Sequence, residues 1–134
     1  MYLVNILISD PQFLIFLNNF IINLNREFED SSLIVVEGKN DLAALQLLGF
    51  KGKAFMISNG KRILDLADQV EFYKKIILLF DYDNRGIELT HKSVKLLERS
   101  INVDTSYRHQ LSQHSKGRIR YIEQLSIFRN VFSY

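Results

Sequence analysis

Glu37 follows the aliphatic run Leu33-Ile34-Val35-Val36, and Gly38, Lys39, Asn40 and Asp41 come directly after it. Asp81 and Asp83 follow a second apolar run, Ile76 to Phe80, and lead into Arg85 and Gly86. Carboxylates exchange protons and bind hard cations, lysine and arginine meet anions, and glycine lets a backbone come close to a ligand. Any one of these carboxylates taken singly is more often a helix cap than a reactive group. What points to shared chemistry is their order, with two acidic groups of residues each leaving the end of an apolar run.

The elements that must position them can be read from the same stretches. Leu33–Val36 and Ile76–Phe80 are short, uninterrupted and rich in branched side chains, as expected of strands buried on both faces of a parallel sheet. Between them, Leu42, Ala43, Ala44, Leu45, Leu47 and Leu48 form a helix pattern stopped by Gly49, and Phe50 to Lys53 reads as a turn. Ala54 to Ile57 reads as a second strand, the loop Ser58-Asn59-Gly60 lies at its end, and Lys61 to Phe72 reads as a helix with Ile63, Leu64, Ala67 and Val70 inward. The alternation of strand and helix predicts right-handed βαβ units, and in such sheets the ligand crevice lies outside the carboxyl ends of the strands. Glu37, Asp81 and Asp83 are expected at that edge. Beyond Gly86, Ile87 to Ile101 reads as a third amphipathic helix and Val103 to Tyr107 as a short fourth strand. Arg108 to Arg120 reads as a polar, basic stretch, and Tyr121 to Tyr134 as a closing helix.

At the start of the chain, Met1 to Ser9 reads as a short strand or loose arm. Asp10-Pro11 is then an N-cap and first helical position for a helix running to about Glu27. Its apolar face, Phe13, Phe16, Leu17, Phe20, Ile21 and Leu24, is expected either to cover a face of its own domain or to dock on a protein partner or a second copy. The division expected is an N-terminal helical extension over residues 1–30 and a domain over 31–134. The first 25 residues carry a single charge, Asp10. Pro11 and the asparagines at 18, 19, 23 and 25 nevertheless break the apolar run well short of the ~20 residues that a spanning helix needs. No basic segment precedes it in the manner of a secretory signal. No cysteine is present, which excludes disulfides, thiolate metal sites and thiol nucleophiles and suits a reducing cytoplasm. The net charge of +2 is too small to demand a nucleic-acid partner, so the placement of charge has to decide.

The sequence Glu37-Gly38-Lys39-Asn40-Asp41 after one buried strand, with Asp81-Tyr82-Asp83 and Gly86 after a later one, resembles the Toprim domain. That domain is shared by type IA and type II topoisomerases, bacterial primases, old-type nucleases, recombination-repair proteins and a ribosomal-RNA maturing nuclease. The likeness spans roughly Asp30 to Val103. It implies an α/β fold, a Rossmann-like three-layer sandwich with a mostly parallel four-stranded sheet, here carrying the N-terminal extension. It also implies Mg²⁺ or Mn²⁺ held by Asp81 and Asp83, with Glu37 either completing the shell or acting as general acid or base. The chemistry has a physical reason: if the two strands are neighbours, the carboxylates repel and raise one another's pKa until a dication relieves them. Mg²⁺ commonly takes one or two carboxylates, keeps waters and accepts substrate phosphate oxygens as further ligands. On the phosphate side the likeness implies Gly38, Lys39, Arg85 and Gly86. Asp41 matches the family's second acidic position in the first motif and is equally suited to capping the following helix. Where topoisomerase-like members carry a third acid, this chain has Arg85, which weakens a second metal site.

Basic residues are a softer signal. Lys51, Lys53, Lys61, Arg62, Arg85, Arg108, Lys116, Arg118 and Arg120 are candidates for a phosphate-binding rim, densest from Lys116 to Tyr121, where the following Ile122-Glu123-Gln124-Leu125 is similar to the tail of small stand-alone Toprim proteins. His91, His109 and His114 are expected at the surface. Together these imply a Mg²⁺-dependent protein acting on nucleic acid, a phosphodiester-cleaving nuclease with RNA favoured over DNA. The competing reading is a non-catalytic or partner-dependent nucleic-acid-binding module, and a weaker third is a phosphotransferase acting on nucleotides. A topoisomerase or primase would need domains for which the expected elements leave no room.

Overall fold

The computed structural model describes residues 2–58 and 62–132. Four strands, β1 (Ser32–Val36), β2 (Phe55–Met56), β3 (Lys75–Leu78) and β4 (Asn102–Asp104), form one sheet in the order β2-β1-β3-β4. Every pairing is parallel, and β1 lies against β3 with Leu33 opposite Ile76 and Val35 opposite Leu78. The two strands that carry the acidic groups are therefore the central neighbours.

Side chains alternate across this sheet, as the period of two requires. Ile34, Val36, Ile77 and Leu79 enter one core, and Leu33, Val35, Ile76, Leu78 and Phe80 enter the other. Helix α3 (Lys39–Leu47), α6 (Ser106–His114) and the 3₁₀ turns Ile122–Phe128 cover the first face, together with the long α2 (Pro11–Glu29). Helix α4 (Ile63–Leu66), the 3₁₀ turns Ala67–Phe72 and α5 (Asn84–Leu97) cover the second. The result is a three-layer α/β sandwich.

Helix α2 begins as its sequence dictates, with Asp10 Oδ1 accepting from the amides of Gln12 at 3.1 Å and Phe13 at 3.2 Å. Phe13, Leu17, Phe20, Ile21 and Leu24 are buried in the same core as Ile34 and Ile77, and the Phe13 ring lies 5.5 Å from that of Phe128. One of its interrupting asparagines, Asn25, donates to the Gly49 carbonyl at 3.0 Å and accepts from the Lys51 amide at 2.8 Å. Gly49, at φ +107°, ends the α3 segment as expected. Among the described residues, no helix is long and apolar enough to cross a membrane.

Four local expectations need correction. The segment before Asp10 is helical, α1 (Tyr2–Asn5) followed by 3₁₀ turns Ile6–Ser9, because Val4 and Leu7, three residues apart, both bury in the core. The helix expected from Lys61 to Phe72 shrinks to one turn of α4 and a 3₁₀ continuation, within which Leu66 alone is fully buried; Asn59, Gly60 and Lys61 lie outside the described residues. The strand expected from Val103 to Tyr107 stops at Asp104, whose Oδ1 accepts from the Ser106 amide at 2.8 Å and starts α6 within the stretch read as merely polar. The closing helix is 3₁₀ over Ile122–Phe128, with Ile122, Leu125 and Phe128 buried at a spacing of three, and Ser133 and Tyr134 lie outside the described residues.

Candidate functional site

Glu37 and Asp81 meet across the β1–β3 junction. Glu37 Oε2 accepts from the Asp81 amide at 2.8 Å, just beyond the last ladder bond, in which the Leu79 amide donates to the Val35 carbonyl at 2.9 Å. Asp81 Oδ1 in turn accepts from the Ile122 amide at 2.8 Å. The site is thus built from two strand ends and a turn of the tail that packs against α3.

The electrostatics of Asp81 follow from that crowding. Burial, the negative charges of Asp41 and Glu37, and a contact with the Glu37 side chain that only the protonated form satisfies push its carboxyl up to about 7. The Ile122 amide opposes this without overcoming it. Asp41 is only 7% exposed, and its carboxyl is also raised, first by burial and then by the charges of Glu37 and Glu123. It still performs the capping role, accepting from the Gly38 amide at 3.2 Å. Of the two sequence readings of Asp41, the cap is the one visible in this hydrogen bond.

Asp83 is placed differently. Its Oδ1 accepts from the Gly86 amide at 2.7 Å and caps α5. Gly86 is required for a reason internal to the site: a Cβ there would stand 1.9 Å from the Asp81 carbonyl oxygen. Gly38, by contrast, has extended backbone at φ −151°, which any residue adopts, and its missing side chain leaves room for the Ser58 hydroxyl, 3.0 Å from where a Cβ would be. Lys39 and Asn40 are exposed and, with Glu37, Gly38, Asp41, Ser58 and Glu123, line a cavity of about 350 Å³.

Among the tail residues, Arg120 is exposed and close to the site. Its carbonyl accepts from the Tyr82 amide at 2.7 Å, and its Nε reaches the Tyr82 carbonyl at 3.4 Å. Lys116 and Arg118 precede it in the turn after α6, and Arg85 is exposed in the first turn of α5. Arg108 does not belong to a solvent-facing rim. It is 2% exposed, donates from Nε to the Phe80 carbonyl at 2.9 Å and from Nη2 to those of Ile119 at 2.8 Å and Arg120 at 2.9 Å, and lies 4.0 Å above the Tyr82 ring. Burial lowers its guanidinium to about 10. His91, His109 and His114 are exposed, His114 stacking on Phe16 at 4.0 Å between ring centres.

Sequence reasoning missed Glu123, the Ile122 amide and the fastening role of Arg108. The signal for the first two lies in the tail pattern Ile122-Glu123-Gln124-Leu125, directly after the basic residues. Arg108 is indistinguishable by type from its exposed neighbours.

The donor chemistry fits a hard dication, because crowded carboxylates are all-oxygen ligands whose mutual repulsion such an ion relieves. Among the described residues, no group of three or more acidic or histidine side chains is gathered closely enough to hold a metal ion. A cation seated by Glu37 and Asp81 would therefore draw its remaining ligands from water and phosphate, the usual manner of Mg²⁺.

Comparison with known proteins bears on the same elements. A family model described as the Toprim domain matches residues 32–114. A UPF0292 protein of Methanocaldococcus jannaschii is 36% identical over 100 residues, covering 72% of this chain and 77% of its own. One from Pyrococcus horikoshii is 35% identical over 106 residues, covering 78% of each. A solved structure of an Aquifex aeolicus protein superposes with a TM-score of 0.68 at 34% identity, over 79% of this chain and 94% of that one. With its two acidic motifs on adjacent parallel strands and these relatives, the chain belongs to the Toprim family and, within it, to the UPF0292 proteins.

Proposed function

We propose that this protein is a Mg²⁺-dependent nuclease acting on nucleic acid, RNA in preference to DNA. The observation that carries this reading is the Glu37–Asp81 pair, two carboxylates pressed together at the carboxyl end of central strands, with Asp81 raised to about 7. When bound, Mg²⁺ would supply charge neutralisation for a phosphodiester and an acidified water. Glu37 and Asp81 would hold the ion, with the Asp83 oxygen that does not cap α5 available only to a water of its shell, and Glu123 would add negative charge from the tail. Lys39 and Arg120 meet phosphate oxygens beside the carboxylates, with Arg85, Lys116 and Arg118 extending the basic rim and the Gly38 region leaving space for the backbone of the substrate. Glu37, hydrogen-bonded to the Asp81 amide, is oriented to exchange a proton with the reacting oxygen.

A binding module without turnover is favoured by one specific observation, that Asp83 Oδ1 is committed to the Gly86 amide, with Arg85 standing where topoisomerase-like members have an acid. One experiment separates the two readings: labelled RNA, single-stranded DNA and duplex DNA are incubated with Mg²⁺ or Mn²⁺ and the wild type, Glu37→Gln or Asp81→Asn, with binding recorded in parallel. The nuclease reading expects the wild type to cut RNA fastest and each variant to lose at least about 100-fold in rate while still binding. Binding by the wild type with no cleavage under either metal would establish the module instead.

A further inference from the structure

A second cavity, of about 590 Å³, opens beside Tyr82 and is lined by Ile87, Thr90, His91, Val94 and Lys95 of α5, Glu98 just past its end, and Thr105 and His109 at the start of α6. Its volume falls within the roughly 300–1,000 Å³ typical of small-ligand pockets. The α5 residues recur at helical spacing, so Ile87, His91, Val94, Lys95 and Glu98 present one continuous strip that mixes apolar surface, an imidazole and both signs of charge. The Thr90 hydroxyl is engaged by the Gly86 carbonyl at 2.9 Å, which leaves its methyl group to the cavity. Across from this strip stand the second imidazole, His109, and the phenol of Tyr82, held in place by the Arg108 guanidinium on its ring.

The position of Tyr82 makes this cavity more than a surface hollow. It lies between Asp81 and Asp83 in the chain, so the backbone that carries one wall of the cavity also carries the carboxylates. A flat heteroaromatic ring suits such a lining, with aromatic and aliphatic walls for its faces and polar groups for its edges. A chain with a phosphate at the carboxylates would carry a base on either side of it. We propose that the α5–α6 cavity is a nucleobase subsite, receiving one unstacked base of a single-stranded nucleic acid whose phosphate lies at the acidic site. This rests on the nucleic-acid reading of that site. It adds that the substrate is single-stranded where it is engaged, since a paired and stacked base could not enter.

The test follows backbone amide resonances of the ¹⁵N-labelled protein during three titrations, with adenosine 5′-monophosphate, with ribose 5-phosphate and with Mg²⁺ alone. The nucleotide is expected to shift His91, Lys95 and His109, and ribose 5-phosphate to leave them in place. The double variant His91→Ala/His109→Ala, at exposed positions, is expected to weaken nucleotide binding roughly tenfold. Equal shifts from both phosphates, or nucleotide shifts confined to Gly38, Lys39 and Asp81, would overturn the subsite. The Mg²⁺ arm reports separately on the acidic site. Shifts there with an unmoved α5 cavity remove the subsite alone. A nucleotide-responsive cavity beside a site that ignores Mg²⁺ removes the metal reading and leaves the base site standing.

Discussion

Asp81 concentrates the chemistry of the molecule in one carboxyl group. Its folded-state value, about 7 against an ordinary 3.8, means that the folded protein holds this proton more tightly than the unfolded chain does. Raising the pH through that window removes a proton that folding favours, so the stability of cation-free protein should decline between pH 3.8 and about 7 and level off above. Thermal melts in EDTA across this range, compared with Asp81→Asn, isolate the effect, because asparagine has no proton to lose and should flatten the decline. Saturating Mg²⁺ should restore stability chiefly at the upper end, where the carboxylate is ionised and the ion no longer competes with a proton. A wild-type curve with the same slope as the variant's would mean that Asp81 ionises freely.

At the scale of elements, the tail fastens the acidic strand end in place. Arg108 on α6 holds the Phe80 carbonyl, one residue before Asp81, together with the Ile119 and Arg120 carbonyls of the tail. Replacing it with methionine removes this donor from the Phe80 and Ile119 carbonyls, while that of Arg120 keeps the Tyr82 amide. At about 1–3 kcal/mol for each buried acceptor left unpaired, partly relieved by relaxation, a loss of about 2–4 kcal/mol is expected in urea melts, with a weaker Mg²⁺ affinity beside it. Arg108→Lys should recover only part, because an ammonium cannot serve three carbonyls while lying flat on Tyr82. Much of this layer was legible beforehand. Continuous aliphatic runs identified β1 and β3, and Asp10-Pro11 and Gly49 marked where helices start and stop, since these signals are local. The tail was not legible, because its 3₁₀ turns bury Ile122, Leu125 and Phe128 at a spacing also compatible with an α-helix. Likewise, the acidic motif showed which carboxylates leave the strands, but the choice between ligand and cap at Asp83 depends on where α5 begins, which only the fold decides.

Across the whole molecule, Glu27 joins segments that the chain keeps far apart. Near the end of α2, it accepts from Lys75 Nζ at 2.7 Å, Tyr107 Oη at 2.8 Å and Ser32 Oγ at 3.2 Å, linking the N-terminal helix to β1, β3 and α6. Burial works against its charge, but Lys75 and Tyr107 prevail and hold its carboxyl below the usual range. Glu27→Gln should cost about 1–3 kcal/mol through the lost charged hydrogen bond, seen as a lower melting temperature with the acidic site intact in Mg²⁺ titrations. At the opposite end of the strands, the Ile122 amide on Asp81 has a consequence in time. A chain leaves the ribosome N-terminus first, at about 5–20 residues per second. A nascent chain exposes both acidic motifs well before Ile122 emerges, yet Asp81 lacks its tail contact until then. Synthesis order therefore leaves the Glu37–Asp81 pair without this hydrogen bond until the tail is free to close the site.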